Sequence, residues 1–365
     1  MTVKKMKKRI ILYLVFFGLL LITPEILRAE ESGGQKSFDL ESTIFGHLGD
    51  EYGWSIKLPH DRQLIIPLPV ILYGKEGWHC FSSSRIQDGQ EYEGFRIATE
   101  GRYAGKIIEM AGGEQYRPWD LSVTKNVLAL WITAFVVMLC IFPLVRWYRR
   151  NPLTAPRRGV GLMELIIGMV YDEVIAPVLG KDARRFAPYL LTLFFFILFS
   201  NVLGLMVVFP GGANVMGNIS VALVLAVCTF LVVNLSGTRK YWRETLWPDV
   251  PGWLKLPLPI MPVIEIFGVF TKPIALMIRL FANMLAGHLI TLVLISLIFV
   301  FGAWGAAVTA GSTVIAVLFA VFMNLVDFLI CFIQAYVFMM LSTIFISLAR
   351  PETHEHVKKS VNIES

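Results

Sequence analysis

The stretch PVIEIFGVFTKPIALMIRLFANMLAGHLITLVL, residues 262–294, decides the fold, because it is long and apolar enough to cross a bilayer. The same stretch contains five polar or charged side chains: Glu265, Lys272, Arg279, Asn283 and His288. A charge inside an apolar span is costly and is rare unless it faces a bundle interior or a water path. The stretch therefore predicts a membrane helix whose function depends on its polar residues, above all on Arg279.

The composition of the whole chain agrees with a membrane protein. Hydrophobic residues make up 56% of the 365 residues and charged residues only 16%, with a mean hydropathy of +0.64. The net charge of +6 comes from basic residues at the ends of spans, so it predicts an orientation and no nucleic-acid partner. The four cysteines form no CxxC pair, so neither a metal site nor a disulfide framework is predicted, and no cofactor is expected.

The first 122 residues differ from the rest. Residues 1–29 combine a basic start, an apolar run at 10–22 and a small-residue end at Ala29, which is typical of a secretory signal peptide; an uncleaved signal anchor is the alternative. Residues 30–122 are polar, with alternating pieces such as RQLIIPLPVILYG at 62–74, which predict a small, mostly β, exported region. Two close groups, His47 with Asp50 and Glu51 and His60 with Asp61, are interpreted as solvated surface.

The region 123–350 predicts an all-α polytopic domain with about five spans, at 126–144, 189–209, 218–235, 263–301 and 306–348. The last two are too long for one perpendicular crossing, so they must tilt, break or protrude, with Gly302, Gly305 and Gly311 as possible break points. The loops 146–187 and 236–262 are basic and therefore cytoplasmic. This places residues 30–122 outside, as the signal peptide independently predicts, and the tail 351–365 in the cytoplasm. Within the first loop, GLMELIIGMVYDEVIAPVLG at 161–180 predicts an amphipathic helix at the interface or against a partner.

A helical projection groups the polar residues of the fourth span. At about 100° per residue, Lys272 lies about 20° from the direction of Arg279, and Asn283 and Glu265 lie about 40° from it. These four residues form a polar stripe, although Pro273 interrupts it. His288 projects from the opposite side, roughly 13 Å nearer the outside.

The fifth span, FMNLVDFLICFIQAYVFMMLSTIF at 322–345, supplies the matching groups. Asp327 and Gln334 are seven residues apart and share a face. If Gln334 lies at the depth of Arg279, Asp327 lies about 10 Å nearer the outside, at the level of His288. An imidazole and a carboxylate at that level predict a proton entry path.

Other interpretations of these residues stay open. Arg279 could be a structural ion-pair partner of Asp327, and Lys272 and Glu265 could snorkel to the cytoplasmic surface. Asn283 and Asn324 are favoured as hydrogen-bonding groups between helices. A secondary ion transporter or channel could use the same charges, but the chain shows no internal repeat. A lipid enzyme would need a clustered motif such as HExxH, which the sequence lacks.

The segments TKPIALMIRLFANMLAGHL (271–289) and IQAYVFMMLSTIF (333–345) together resemble subunit a of the membrane sector of bacterial F-type ATP synthases. The segments FAPYLLTLFFFILFSNVLGL (186–205) and 161–180 support the resemblance, which covers about residues 120–350. It implies a non-catalytic stator subunit in the cell inner membrane. Its implied partners are a ring of c subunits, the b-subunit peripheral stalk and the rest of the F1Fo ATP synthase.

The resemblance also implies roles for individual residues. Arg279 faces the mid-membrane carboxylates of the rotating c-ring and separates two proton half-channels, and Gln334 lies beside it. Glu265 matches a carboxylate of the cytoplasmic half-channel. In the outer half-channel, the order of His288 and Asp327 resembles that of mitochondrial members, except that they carry Glu where this chain has Asp327. The shorter acid predicts a water bridge to His288 rather than a direct contact.

Overall fold

A computed structural model of the protein describes residues 50–57, 63–75, 77–86, 90–98, 103, 105–111, 114–156, 159–206, 213–246, 260–302 and 306–350. The predicted signal peptide, the tail 351–365 and three residues of the acidic and histidine groups, His47, His60 and Asp61, lie outside the described residues. The chain divides into two compact units. One comprises residues 1–132, 203–215 and 288–326, and the other comprises residues 133–202, 216–287 and 327–365.

The region before residue 123 is built from short antiparallel strands, which confirms the prediction of a mostly β region. The strands are β1 (Gly53–Lys57), β2 (Gln63–Pro67), β3 (Pro69–Gly74), β4 (Gly77–Ser82), β5 (Phe95–Ile97), β6 (Ile107–Ala111), β7 (Glu114–Tyr116) and β8 (Trp119–Asp120). They pair as β1-β2, β4-β3-β8 and β5-β6-β7. Gly77 begins β4 with φ +115°, a conformation that favours glycine.

Alternation along β3 explains how this region acquires a core. Val70 and Leu72 point to one face and are fully buried, where they pack with Phe81 and Phe95. The opposite face of the same strand carries Pro69, Ile71 and Tyr73. Tyr52 covers the edge of the core and donates a hydrogen bond to the Asp120 carboxylate, and burial together with this bond raises the Tyr52 pKa above its ordinary value.

The remainder of the chain is helical. The helices are α1 (Lys125–Arg150), α2 (Gly159–Val170), α3 (Ala176–Leu179), α4 (Ala183–Leu205), α5 (Ile219–Ser236), α6 (Arg239–Leu246), α7 (Ile260–Gly302) and α8 (Ala306–Leu348). A π-helical turn at Tyr171–Ile175 joins α2 to α3, so the predicted amphipathic segment is helical; its buried residues include Val174 and Ile175, and Asp172 and Glu173 are exposed.

In the part of the chain that the structure describes, four helical segments are long and apolar enough to cross a membrane: Lys125–Arg150, Gly159–Leu205, Ile219–Ser236 and Ile315–Leu348. They overlap four of the five predicted spans. The remaining predicted span, 263–301, lies within α7, whose side chains are described at 264–287, 289, 290 and 293. The protein is therefore a multi-pass membrane protein.

The last two helices show how their excess length is accommodated. Each has 43 residues, which corresponds to about 65 Å, or twice the hydrocarbon thickness. Both helices are continuous: α7 passes through Pro273, and Gly311 lies inside α8, so neither residue breaks its helix. Of the three options for the excess length, an internal break does not occur, and tilt or protrusion remains.

Within the second unit, aromatic and hydroxyl side chains join the helices. Tyr189 of α4 shares a hydrogen bond with Thr229 of α5 over 3.0 Å. Phe194 of α4 packs edge-on against Phe332 of α8, with the ring centroids 5.9 Å apart. Phe230 of α5 stacks on the α7 residue Phe270. These contacts position the polar residues of α7 and α8.

Candidate functional site

The two sides of α7 differ around Arg279. Leu276, Leu280 and Met284 recur at four-residue spacing and are buried within the second unit. Arg279 lies on the other side and is exposed, and Asn283, at the boundary between the two sides, is exposed as well. The neighbours of Arg279 on that side include three small residues, Ala275, Ala282 and Ala286, all exposed. An exposed helix face built from alanines allows another helix to approach the backbone closely.

The guanidinium of Arg279 has no ion-pair or hydrogen-bond partner among the residues that the structure describes. An Arg279–Asp327 ion pair, which was the alternative interpretation, is therefore not present among the described residues. Asp327 instead lies beside Gly287, eight residues further along α7 than Arg279, or about 12 Å along the helix axis. Arg279 is thus presented outward, away from Asp327.

The Asp327 carboxylate occupies space that the absence of a side chain at Gly287 leaves open. Asp327 is only 5% exposed. A Cβ atom at position 287 would lie 3.2 Å from Oδ1 and 3.5 Å from Oδ2 of Asp327. Among the described residues, Oδ2 has no hydrogen-bond partner. A buried carboxylate oxygen without a partner is unfavourable unless water or a proton satisfies it, so this position is suited to proton exchange.

The sequence places His288 directly after Gly287, but its side chain lies outside the described residues, so the predicted pairing of His288 with Asp327 stays a prediction. Gln334 lies with Asp327 on the buried face of α8 and is 9% exposed. Other buried residues of α8 near this pair are apolar or small: Cys331, Ala335, Phe338, Met339, Ser342 and Thr343.

The predicted stripe on α7 is not uniformly exposed. Glu265 is exposed, as are Arg279 and Asn283, but Lys272 is half-buried. Its ammonium group lies 5.5 Å from the centre of the Phe345 ring of α8, a favourable cation–π contact. Lys272 therefore leaves the stripe that the helical projection assigned to it, because a long side chain can bend toward a neighbouring helix.

A small, partly open cavity lies beside Lys272 and was not predicted. Its polar lining comes from Lys272 of α7, Thr229 and Asn234 of α5 and Tyr241 of α6. Burial raises the pKa of Tyr241, a hydrogen bond with Thr245 opposes this shift, and the negative charge of Glu265 adds to it. Thr229 and Asn234 are polar residues within an apolar span, and that signal could have identified them.

Two further polar residues of the helical region are asparagines. Asn324 of α8 is buried, and so is Asn201 of α4, whose Oδ1 has no hydrogen-bond partner among the described residues. Among the same residues, no group of three or more His, Cys, Asp or Glu side chains could hold a metal ion.

Fold and site together define a class: a polytopic membrane protein with an exposed arginine on one long helix and a buried acid on the next. Comparison of the sequence with known proteins identifies the family. The family described as ATP synthase A chain matches residues 127–347, more than half of the chain. The chain belongs to the family of subunit a of F-type ATP synthases. Residues 43–122 match a separate family described as a domain of unknown function (DUF8433).

Curated relatives agree with this assignment. The chain is 40% identical over 244 residues to ATP synthase subunit a of Myxococcus xanthus, covering 65% of this chain and 76% of the relative. It is 38% identical over 233 residues to ATP synthase subunit a of Chloroherpeton thalassium, covering 63% and 67%. A relative named ATP synthase subunit a from an Anaeromyxobacter species is 36% identical over 343 residues, covering 89% of this chain and 74% of the relative.

Proposed function

We propose that this chain forms the two half-channels through which protons reach and leave a rotating ring of c subunits, with Arg279 as the barrier between them. Membership of the family supports a proton-translocating, non-catalytic role in the membrane sector of the ATP synthase complex. The half-channels, the role of Arg279 and the contact with the c-ring are the proposal.

The observation that carries the proposal is the outward presentation of Arg279 on an alanine-rich face of α7. A guanidinium stays charged under all physiological conditions, and in a membrane it needs a counter-charge or water. Since no described residue of this chain supplies one, the counter-charge comes from another subunit. A carboxylate on each c subunit meets this requirement, and Ala275, Ala282 and Ala286 allow that helix to approach.

Arg279 acts as a barrier because it cannot release a proton at neutral pH. It attracts a deprotonated carboxylate and repels a hydrated proton, so a proton cannot pass directly from one half-channel to the other. The attraction must be reversible for the ring to turn. Gln334, on the buried face of α8, and Asn283, four residues beyond Arg279, supply neutral hydrogen-bonding groups beside this barrier.

The outer half-channel uses Asp327 and His288. Asp327 has an unpartnered oxygen beside Gly287, and His288 is the next residue of α7. A carboxylate and an imidazole are both groups that can bind and release protons. The cytoplasmic half-channel uses Glu265, and the cavity lined by Tyr241, Thr229 and Asn234 gives that acid a polar neighbourhood.

The orientation follows from the basic loops. We propose that the loops 146–187 and 236–262 face the cytoplasm of a bacterial inner membrane, together with the tail 351–365. A signal peptide at 1–29 would then export residues 30–122 to the periplasm, ahead of the transmembrane domain 123–350. Besides the c-ring, we propose the b-subunit peripheral stalk as a partner within the complex.

The test of the proposal is the substitution Arg279→Ala in membrane vesicles. Coupled ATP synthesis should be abolished while the complex still assembles, because loss of the guanidinium opens a direct path between the half-channels. Ile278→Ala is the matched control, since Ile278 is the exposed neighbour of Arg279 and its truncation removes a large side chain without a change of charge. The control should retain ATP synthesis. Normal synthesis in an assembled Arg279→Ala complex would refute the role of Arg279.

A further inference from the structure

The three-stranded sheet β4-β3-β8 has one face that carries no charged residue. The strand register places Trp78 and Trp119 on either side of Tyr73, so these three residues form a row across the sheet. Their exposed fractions are 67%, 73% and 48%, respectively. The next two rows complete what we call the uncharged face, which consists of Pro69, Ile71, Tyr73, Trp78, Cys80, Ser82, Trp119, Leu121 and Val123.

The exposure of this face is not a consequence of a poorly formed sheet. The opposite face buries Val70 and Leu72 completely against Phe81 and Phe95. One side of β3 therefore has a well-packed core, and the other side presents rings to the surroundings. A contiguous exposed apolar surface of this kind usually marks an interaction site in a native protein.

The uncharged face is continuous with a membrane helix. The amide nitrogens of Leu121 and Val123 donate hydrogen bonds to the carbonyl oxygens of Ile71 and Pro69, which extends the pairing with β3 to within two residues of α1. The first turn of α1 is tied to the same region, because Asn126 N donates to the Asp50 carboxylate over 3.2 Å. The face thus continues into α1 through a hydrogen-bonded connection.

The length of α1 puts this junction at the bilayer surface. Its 26 residues extend for about 39 Å, whereas the hydrocarbon core is about 30 Å thick, so both helix ends reach the headgroup layers. Val123, the first row of the uncharged face, therefore lies at headgroup level.

The chemistry of the face fits that layer. Tryptophan and tyrosine are enriched at membrane–water interfaces, because their rings are apolar and their N–H or O–H groups remain hydrated. The rim beyond the aromatic row is basic: Lys75 lies over the Tyr116 ring, 5.3 Å from its centre, and Arg117 is exposed. Cations at this rim complement lipid phosphates. A polysaccharide site would need several hydrogen-bonding side chains beside the rings, and the face offers only Ser82 and Cys80.

We propose that the uncharged face lies on the headgroup layer of the bilayer that α1 spans, so that the β region rests on the membrane instead of projecting from it. The proposal requires β8 to run along the bilayer surface, because the aromatic row is six residues from α1, or at most about 20 Å. The inference is independent of which side of the membrane the β region occupies and of the proton path.

Cys80, exposed in the middle row of the face, allows a direct test. The other three cysteines of this chain are replaced, a nitroxide is attached at Cys80, and the full chain is reconstituted in vesicles of phosphatidylethanolamine and phosphatidylglycerol. The matched control combines Gln90→Cys with Cys80→Ser, so that the label is attached at position 90. Gln90 is exposed but lies away from the uncharged face, because the nearby Tyr92 packs against Phe81 on the core side of the sheet.

The expected result is that the label at Cys80 is several-fold less accessible to a water-soluble nickel complex than the label at position 90, and more accessible to oxygen. Equal nickel accessibility at the two positions would overturn the proposal, since the face would then contact water. An immobilised label shielded from both reagents would also overturn it, since the face would be covered by protein, either a partner or a second copy.

A second measurement does not depend on the label. Trp119→Gln and Trp78→Gln remove exposed rings without disturbing the core. Each should lower the share of intrinsic fluorescence that brominated phospholipids quench, while the protease resistance of the region stays unchanged. An undiminished share in both variants would contradict contact with lipid.

Discussion

Gly287→Ala tests the environment of Asp327 by adding one methyl group. The new Cβ atom would lie 3.2 Å from Oδ1 and 3.4 Å from Cγ of Asp327, which is tighter than an ordinary van der Waals contact. Since Oδ2 of Asp327 has no described hydrogen-bond partner, the carboxylate can move by a few tenths of an ångström. The methyl group thus fills space next to the acid without removing the acid itself.

Two opposing terms set the effect on stability. Alanine is favoured over glycine in a helix interior by about 1 kcal/mol. Overpacking of a filled site costs about 1–3 kcal/mol. The net destabilisation is therefore at most about 2 kcal/mol, so the complex should still assemble. If the added methyl group raises the free energy of the hydrated, ionised carboxylate by about 1.4 kcal/mol, proton exchange at Asp327 slows about tenfold.

The assay is passive proton conductance in vesicles stripped of the catalytic sector. Gly268→Ala is the matched control: it lies in the same helix and gains the same helix propensity, and a Cβ atom there meets nothing within 4 Å in this chain. We expect about tenfold lower conductance in Gly287→Ala and unchanged conductance in Gly268→Ala. Wild-type conductance in an assembled Gly287→Ala complex would refute the placement of Asp327 in the proton path.

Two further predictions concern other titrating groups. His288→Ala and Asp327→Asn should each strongly reduce passive proton conductance. The exchange of the two residues, His288→Asp with Asp327→His, should recover more ATP synthesis than either single change. Wild-type conductance in both single variants would show that these residues are not in the proton path. Tyr52 has a raised pKa in the folded state, so the β region should lose stability as the pH rises above the ordinary tyrosine value of about 10, because the unfolded chain ionises first. Tyr52→Phe should remove this alkaline loss, measured as protease resistance against pH, and an identical pH dependence in both proteins would contradict it.

The membrane class and most of the helix positions could be predicted from sequence, because a bilayer core admits only long apolar segments that satisfy their own backbone hydrogen bonds. The alternation at 62–74 likewise predicted strands, and β2 and β3 occupy that stretch. The proposed break at Gly311 was wrong, since a single glycine inside an apolar helix lowers its stability without ending it.

The side chains of α7 show where projection from sequence reaches its limit. The periodicity of about 100° per residue correctly grouped Arg279 with Asn283, because both belong to a regular helix and both are exposed. It failed for Lys272, which bends toward Phe345 of α8. A projection gives the direction of Cβ, whereas a long flexible side chain responds to the neighbouring helix.

The sequence by itself determined that this protein is a multi-pass membrane protein of the ATP synthase subunit a family, with Arg279 in an apolar helix, because burying charge in lipid is too costly to occur without a function. Only the tertiary structure decided which way the polar groups turn. Packing of α7 through Leu276, Leu280 and Met284 leaves Arg279 facing outward, and the missing side chain at Gly287 leaves room for Asp327. A helix has no inside or outside until its neighbours cover one of its faces.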